Sequence, residues 1–247
     1  MGKPLNQQRR GKGSPSFTAP SHLYKVKAGF KEPSAIEKEG AIRGEVVSFI
    51  DNPANTALLM AVRLENGDYN FLIAPEGMAI GDEIRFGKSA GIGLGNVLPL
   101  SEIPDGTPVY NIEIVPGDGG KLVRTAGSTA YVVSHIDRKV YVSLPSKNVK
   151  IFNENCRAQI GVISMGGRLD KPVFKAGATY HMVASTARRW PHVRTVAMSA
   201  YDHPFGGKQH HPGRSTIVAK DAPPGRKVGL IGPGSVGRKK VKKGALV

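Results

Sequence analysis

Cysteine is almost missing from this 247-residue chain. Cys156 stands alone, so no intrachain disulfide forms and no Cys-x-x-Cys metal knuckle can be built. Long apolar runs are missing too. The longest, ALLMAV at 57–62, is far short of the roughly 20 residues that a membrane-crossing helix needs. The first residues, MGKPLNQQRRGKG, lack the apolar centre of a signal peptide. A reducing, cytoplasmic setting without a membrane is the expectation. Aromatic residues make up only 6% of the chain, with a single tryptophan, Trp190. Acidic side chains are scarce: 19 Asp and Glu against 35 Lys and Arg leave a formal net charge of +16. A chain so basic meets a polyanion, with nucleic acid ahead of an anionic membrane surface.

The excess charge sits at the two ends. Residues 1–35 carry a net +6, residues 36–165 a net −3, and residues 166–247 a net +13. The last segment also holds 12 Gly and 7 Pro and few apolar residues with a regular period. Such a segment buries too little apolar surface to offset a backbone entropy of roughly 1–2 kcal/mol per residue. Both ends read as basic extensions that order against a partner.

The middle reads as β-structure, with turn residues every eight to twelve positions. AIRGEVVSFI (41–50), ALLMAVRL (57–64), YNFLIA (69–74) and DEIRFG (82–87) form one group of strands. Asn66-Gly67 predicts a hairpin between two of them. The glycine-rich GIGLGNVLPL (91–100) reads as a join. TPVYNIEIV (107–115), TAYVVSHI (129–136), KVYVSL (139–144), NVKIF (148–152) and CRAQIGVI (156–163) form a second group. Two groups of short strands predict two small barrels, which remove exposed edges by closing. The expected domains are a basic N-terminal extension at 1–35, a barrel at 36–90, a second barrel at 91–165 and a Gly/Pro-rich basic extension at 166–247. Only ATYHMVASTARR (178–189), ahead of Trp190-Pro191, reads as helix.

The histidine-rich stretch YDHPFGGKQHHPGRS (201–215) admits three chemistries. As a metal site, His203, His210, His211 and Asp202 supply ligand types. However, adjacent His210 and His211 point apart, and neither HExxH nor a second cysteine accompanies them. As a hydrolase, Ser199, Asp202 and His203 are the right types, but triads converge from separate elements. As a polyanion-binding loop, glycine lets the backbone approach phosphate, aromatic rings stack on bases, and cations meet phosphates. Arg188, Arg189, Arg194, Lys208 and Arg214 surround Trp190, His203 and Phe205, with Gly206 and Gly207 between them. Elsewhere, GPGSVGRKK (232–240) lacks the lysine and the following Ser/Thr of a phosphate loop, so Arg238, Lys239 and Lys240 read as an electrostatic cluster. In PGDGGKLVRTAG (116–127), a glycine loop carries Lys121 and Arg124. Arg9, Arg10 and Lys12 are the cations of the first segment.

PGDGGKLVRTAGSTAYVV, NCRAQIGVIS, RWPHVRTVAMSAYDHPFGG and the basic tail together resemble the universal ribosomal large-subunit protein two family. The blocks are in order and span residues from about 5 to 240. HHPGRST (210–216) is similar to the archaeal and eukaryotic branch. The resemblance implies an oligonucleotide-binding barrel, then an SH3-like barrel, with long RNA-wrapped termini. It implies large-subunit ribosomal RNA and other ribosomal proteins as partners. It also implies a place near the peptidyl-transferase centre and the subunit interface, with links to the small subunit and tRNA. The family histidine of DHPxGG falls on His203, with an implied structural or RNA-contacting role. Phe205 stands where many bacterial members carry a second histidine. No cofactor is implied beyond magnesium that accompanies RNA. A zinc- or histidine-dependent hydrolase and a general nucleic-acid chaperone stay as the alternative readings.

Overall fold

The computed structural model describes residues 2–207. They divide into two compact units, one formed by Pro20–Ala176 and the other by residues 2–19 with 177–207.

The Pro20–Ala176 unit is one run of ten strands. These are β1 (Ile42–Ile50), β2 (Leu59–Leu64), β3 (Tyr69–Ile73), β4 (Glu83–Phe86), β5 (Val97–Pro99), β6 (Pro108–Tyr110), β7 (Ala130–Ile136), β8 (Lys139–Ser143), β9 (Val149–Asn153) and β10 (Arg157–Ile160). Their order is β3-β2-β1-β4-β5-β10-β6-β7-β8-β9. All pairings are antiparallel except β4 with β5. In β1, Ile42, Gly44 and Val46 face in while Arg43, Glu45 and Val47 face out, the period of two that its sequence carries. Gly44 is needed there because a Cβ would lie 2.6 Å from Cγ1 of Val62 on β2. The Asn66-Gly67 hairpin forms, with Gly67 at φ 82° and the Leu64 N–H donating to the Asp68 carbonyl at 2.8 Å.

Three elements differ from the sequence expectation. The join at 91–100 contains β5, which ties the two strand groups together. Its alternation sends Val97 into the core of β1–β4 and Leu98 into the core of β6–β10. The strand expected over 107–115 stops at Tyr110, because Asn111 turns to φ 50°, a left-handed conformation that ends a strand. The longest helix among the described residues, Ala176–Ala184, ends five residues before Arg189. The hydroxyl of Thr186 donates to the Val183 carbonyl at 2.8 Å, and that of Ser185 to Met182 at 3.3 Å. These side chains compete with the helical ladder at its C-terminal end.

Between the two cores lies a third cluster of Ala28, Ala57, Leu59, Ile73, Tyr110 and Ile163. Tyr110 is wholly buried, and its hydroxyl donates to the Ile73 carbonyl at 3.1 Å. Burial raises its phenol well above the ordinary range. Burial likewise pushes the Cys156 thiol up to about 11, with the charges of Glu113 and Asp118 adding to the effect.

The strongest polar feature of this unit is a buried ion pair. The Glu113 carboxylate is fully enclosed. It accepts from the Arg157 backbone N–H at 2.9 Å, Arg157 Nη2 at 2.8 Å and Arg157 Nε at 3.2 Å. It also accepts from the N–H groups of Gly117 and Gly119, each at 3.2 Å. Arg157 continues outward: Nη2 donates to the Lys31 carbonyl at 2.8 Å, Nη1 approaches Glu37 at 3.4 Å, and the guanidinium lies 5.1 Å from the centre of the Phe30 ring. The segment before β1 is thereby fastened to the barrels. It is further held by the Gly29 N–H to Phe71 and the Phe30 N–H to Gly119, both at 2.9 Å.

Arg157→Ala leaves Glu113 buried without its counter-charge, and stability should fall by about 3–5 kcal/mol, read from the urea midpoint of the full chain. A loss below about 1 kcal/mol would show that the pair is replaceable by water. Buried and with its thiol raised to about 11, Cys156 should resist iodoacetamide at pH 8 while the chain is folded, and react readily once urea exposes it. Equal rates in both states would contradict its burial.

Candidate nucleic-acid interface

The glycine loop at 116–127 is shaped by carboxylates and an arginine, with Gly117, Gly119 and Gly120 all at φ between 82° and 85°. Gly120 could carry no side chain, since a Cβ would lie 2.5 Å from Oδ1 of Asn111. Asp118 accepts from the N–H groups of Ile114, Val115 and Gly120. Partial burial works to raise its carboxyl. The three N–H bonds and nearby Lys121, at 3.4 Å, together outweigh it and hold the carboxyl below the ordinary value. Arg124 is turned inward. Its Nη1 donates to the Gly120 carbonyl at 2.9 Å and its Nη2 to Ala28 at 2.7 Å. Burial lowers its guanidinium from the usual value, though an arginine of this kind stays charged. Lys121, by contrast, is exposed at the rim. Of the two cations that the sequence singles out here, one braces the loop and one faces solvent.

In the other unit, residues 198–207 fold into a tight knot. The His203 N–H donates to the Ser199 carbonyl, Gly206 to His203 and Gly207 to Met198. His203 is buried, and its Nδ1 accepts from the Phe205 N–H at 3.1 Å. An accepting Nδ1 leaves Nε2 as the nitrogen that carries the ring N–H. Phe205 meets the imidazole edge-on with ring centres 5.2 Å apart. Gly206 is obligatory, because a Cβ there would collide with the carbonyl oxygens of Ser199 and Met198. Asp202 takes the Ser199 hydroxyl at 2.9 Å and Lys3 Nζ at 2.8 Å. Hydrogen bonds first from Lys3 and then from Ser199 hold its carboxyl below the ordinary value. This wiring opposes the hydrolase alternative, since the serine hydroxyl donates to the aspartate and not to the imidazole.

The remaining sequence candidates fall into two sets. Arg9 and Arg10, at the end of α1 (Asn6–Arg10), and Lys12, Arg188, Arg189 and Arg194 are exposed, and Trp190 is half-buried. Among the described residues none of these six cations is paired with a carboxylate. Lys208, Arg214, Arg238, Lys239 and Lys240, with His210 and His211, lie outside the described residues. Among the described residues no three His, Cys, Asp or Glu side chains are placed to hold a metal ion, and no helix is long and apolar enough to cross a membrane. Sequence reasoning did not single out Glu113, Arg157 or Lys3. The one available signal was charge inside otherwise apolar strands, at Glu113 in YNIEIV and Arg157 in CRAQI.

As a class, this is a basic, mainly β protein whose body is an oligonucleotide-binding barrel followed by an SH3-like barrel. Comparison with known proteins makes it particular. The profile of the family "Ribosomal Proteins L2, C-terminal domain" matches residues 93–226. "Large ribosomal subunit protein uL2" of Methanobrevibacter smithii is 48% identical over 241 residues, which is 97% of this chain and all of that protein. The proteins of the same name from Methanocaldococcus jannaschii and Methanothermobacter thermautotrophicus are 48% and 46% identical, with the same coverage. The chain belongs to the ribosomal protein L2 family, and with it to the non-enzymatic proteins of translation, in their archaeal type.

The Asp202 clamp should be pH-dependent. A carboxyl lowered on folding contributes stability above its unfolded value, and that stability is lost as pH falls through the lower, folded value. Tyr201, whose ring lies 5.1 Å from Lys3 Nζ, should report the release in fluorescence titration, and Asp202→Asn should abolish the transition. A transition that survives Asp202→Asn would assign it to another carboxylate.

Proposed function

We propose that this chain is a structural constituent of the large ribosomal subunit, at work in the cytoplasm as part of the ribosome, and that it binds ribosomal RNA mainly through its ends. The barrels act as a nearly neutral body that sets position. Residues 1–19 and 177–247 act as basic extensions, while residues 20–35, expected to belong to the first of them, pack with the barrels. Arg9, Arg10, Lys12, Arg188, Arg189 and Arg194 neutralise phosphates, together with Lys208, Arg214, Arg238, Lys239 and Lys240. Trp190 supplies a stacking surface. Lys121 contacts RNA at the rim of the glycine loop, while Arg124, His203, Phe205, Gly206 and Gly207 hold the loops in the shape that RNA meets. In this role the chain supports the peptidyl-transferase region, subunit association and tRNA binding, among other ribosomal proteins. Any magnesium comes with the RNA.

The observation that carries this reading is the segregation of charge: the ends hold all of the net positive charge, and Arg9, Arg10, Lys12, Arg188, Arg189 and Arg194 have no carboxylate partner among the described residues, whereas Lys3 and Lys31 do. Counter-ion release then makes affinity fall linearly in log–log salt, with a slope of about 0.7–0.9 per phosphate neutralised. Replacing Arg188, Arg189 and Arg194 by Gln together should flatten that slope by about 2–3, with the urea midpoint unchanged, in filter binding of the full chain to large-subunit RNA. An unaltered slope would remove these arginines from the interface. Equal affinity for unrelated duplex DNA would favour the chaperone alternative.

A further inference from the structure

The solvent side of β7–β9 departs from the usual antiparallel pattern, in which a sheet packed on one face is polar on the other. Val132, Val140, Val142 and Phe152 fill the core beneath. The register aligns Tyr131 with Ser143 and Val149, and Tyr141 with Ile151. Alternation therefore turns Tyr131, Val149 and Ile151 outward, with Val133 at a bulge beside them. These four are 47–55% exposed. β9 is the last strand in the order, and among the described residues β8 is its only ladder partner. An unpaired backbone edge thus borders an apolar face, the arrangement that invites another strand. Arg138, Lys139, Lys147 and Lys150 lie on the same hairpins against Asp137 in one turn, with Glu154 just past β9 and Asp105 already bonded to His135 of β7.

We propose that this edge docks an acidic protein partner by strand addition. An extended segment pairs with β9, its alternate apolar side chains cover Val149 and Ile151, and the carboxylates that alternate with them meet Lys150 on the other face and Lys147 at the turn. Charge complementarity selects that occupant. A second copy of this chain would set the same four cations against one another, on molecules of net charge +16. RNA is disfavoured because the centre of the patch is aliphatic, and a phosphate backbone gains nothing from dehydrating Val and Ile. The proposal rests on the ribosomal reading only for where the partner is sought.

The test places the photoreactive residue p-benzoylphenylalanine at Tyr141, beside Ile151 on the same face, or, separately, at Val149 in the full chain. Large subunits carrying each version are isolated by sedimentation and irradiated, and the crosslinked segments are sequenced. The expected product is one protein segment rich in Asp and Glu with alternating apolar residues. Adding Ile151→Thr, which keeps the β-branch but replaces apolar surface with a hydroxyl, should cut the yield at least tenfold without changing incorporation into the subunit. Crosslinks to RNA alone, to a second copy or to a segment without acidic residues overturn the proposal, as does no crosslink from either position. Absence of the unmodified chain from the subunit peak overturns the ribosomal assignment and this proposal together, and is read independently of the crosslink.

Discussion

The pairing of Glu113 with Arg157 is the constraint on which the rest of the body depends. A carboxylate and a guanidinium are enclosed where neither can be left alone, because an uncompensated buried charge costs several kcal/mol. Each therefore uses its remaining hydrogen-bonding capacity on the backbone. Glu113 gathers the N–H groups of Gly117 and Gly119, and Arg157 reaches the carbonyl of Lys31. One interaction thus shapes the glycine loop, fixes β10 and anchors the segment that leads into β1. The price of burying the charges is offset by geometry that an apolar pair would not impose.

Charge is distributed by a second, simpler rule. The folded middle is slightly acidic and buries apolar residues in three clusters, while the ends concentrate cations. A body dense in positive charge would repel itself. Removing that charge to the termini lets the barrels fold on hydrophobic burial and leaves the cations for a polyanion. The RNA-binding mechanism proposed above follows from that separation.

Residue type and residue role part company at several positions. Arg124 is a cation in a glycine loop, the pattern of a phosphate contact, yet both of its terminal nitrogens are engaged by carbonyls of the protein. His203 invites catalysis by its neighbours Ser199 and Asp202, yet its Nδ1 is taken by the Phe205 backbone. Arg188, Arg189 and Arg194 carry the same charge and remain exposed. Residue type alone does not separate these cases: Ala28 reaches Arg124 from 96 positions away, and the turn that sets the Phe205 N–H on His203 is a matter of backbone conformation.

Most strands, the Asn66-Gly67 hairpin and the concentration of charge at the ends were legible in the sequence, because each follows from a local period or composition. The family was legible too, through long ordered blocks such as RWPHVRTVAMSAYDHPFGG. Tertiary structure alone decided that β5 belongs to both cores, that the strand after Thr107 stops at Tyr110, and that Glu113 and Arg157 meet across 44 positions. Periodicity records which side of a strand is apolar, whereas the pairing of buried charges and the sharing of a strand depend on contacts between segments that no local pattern encodes.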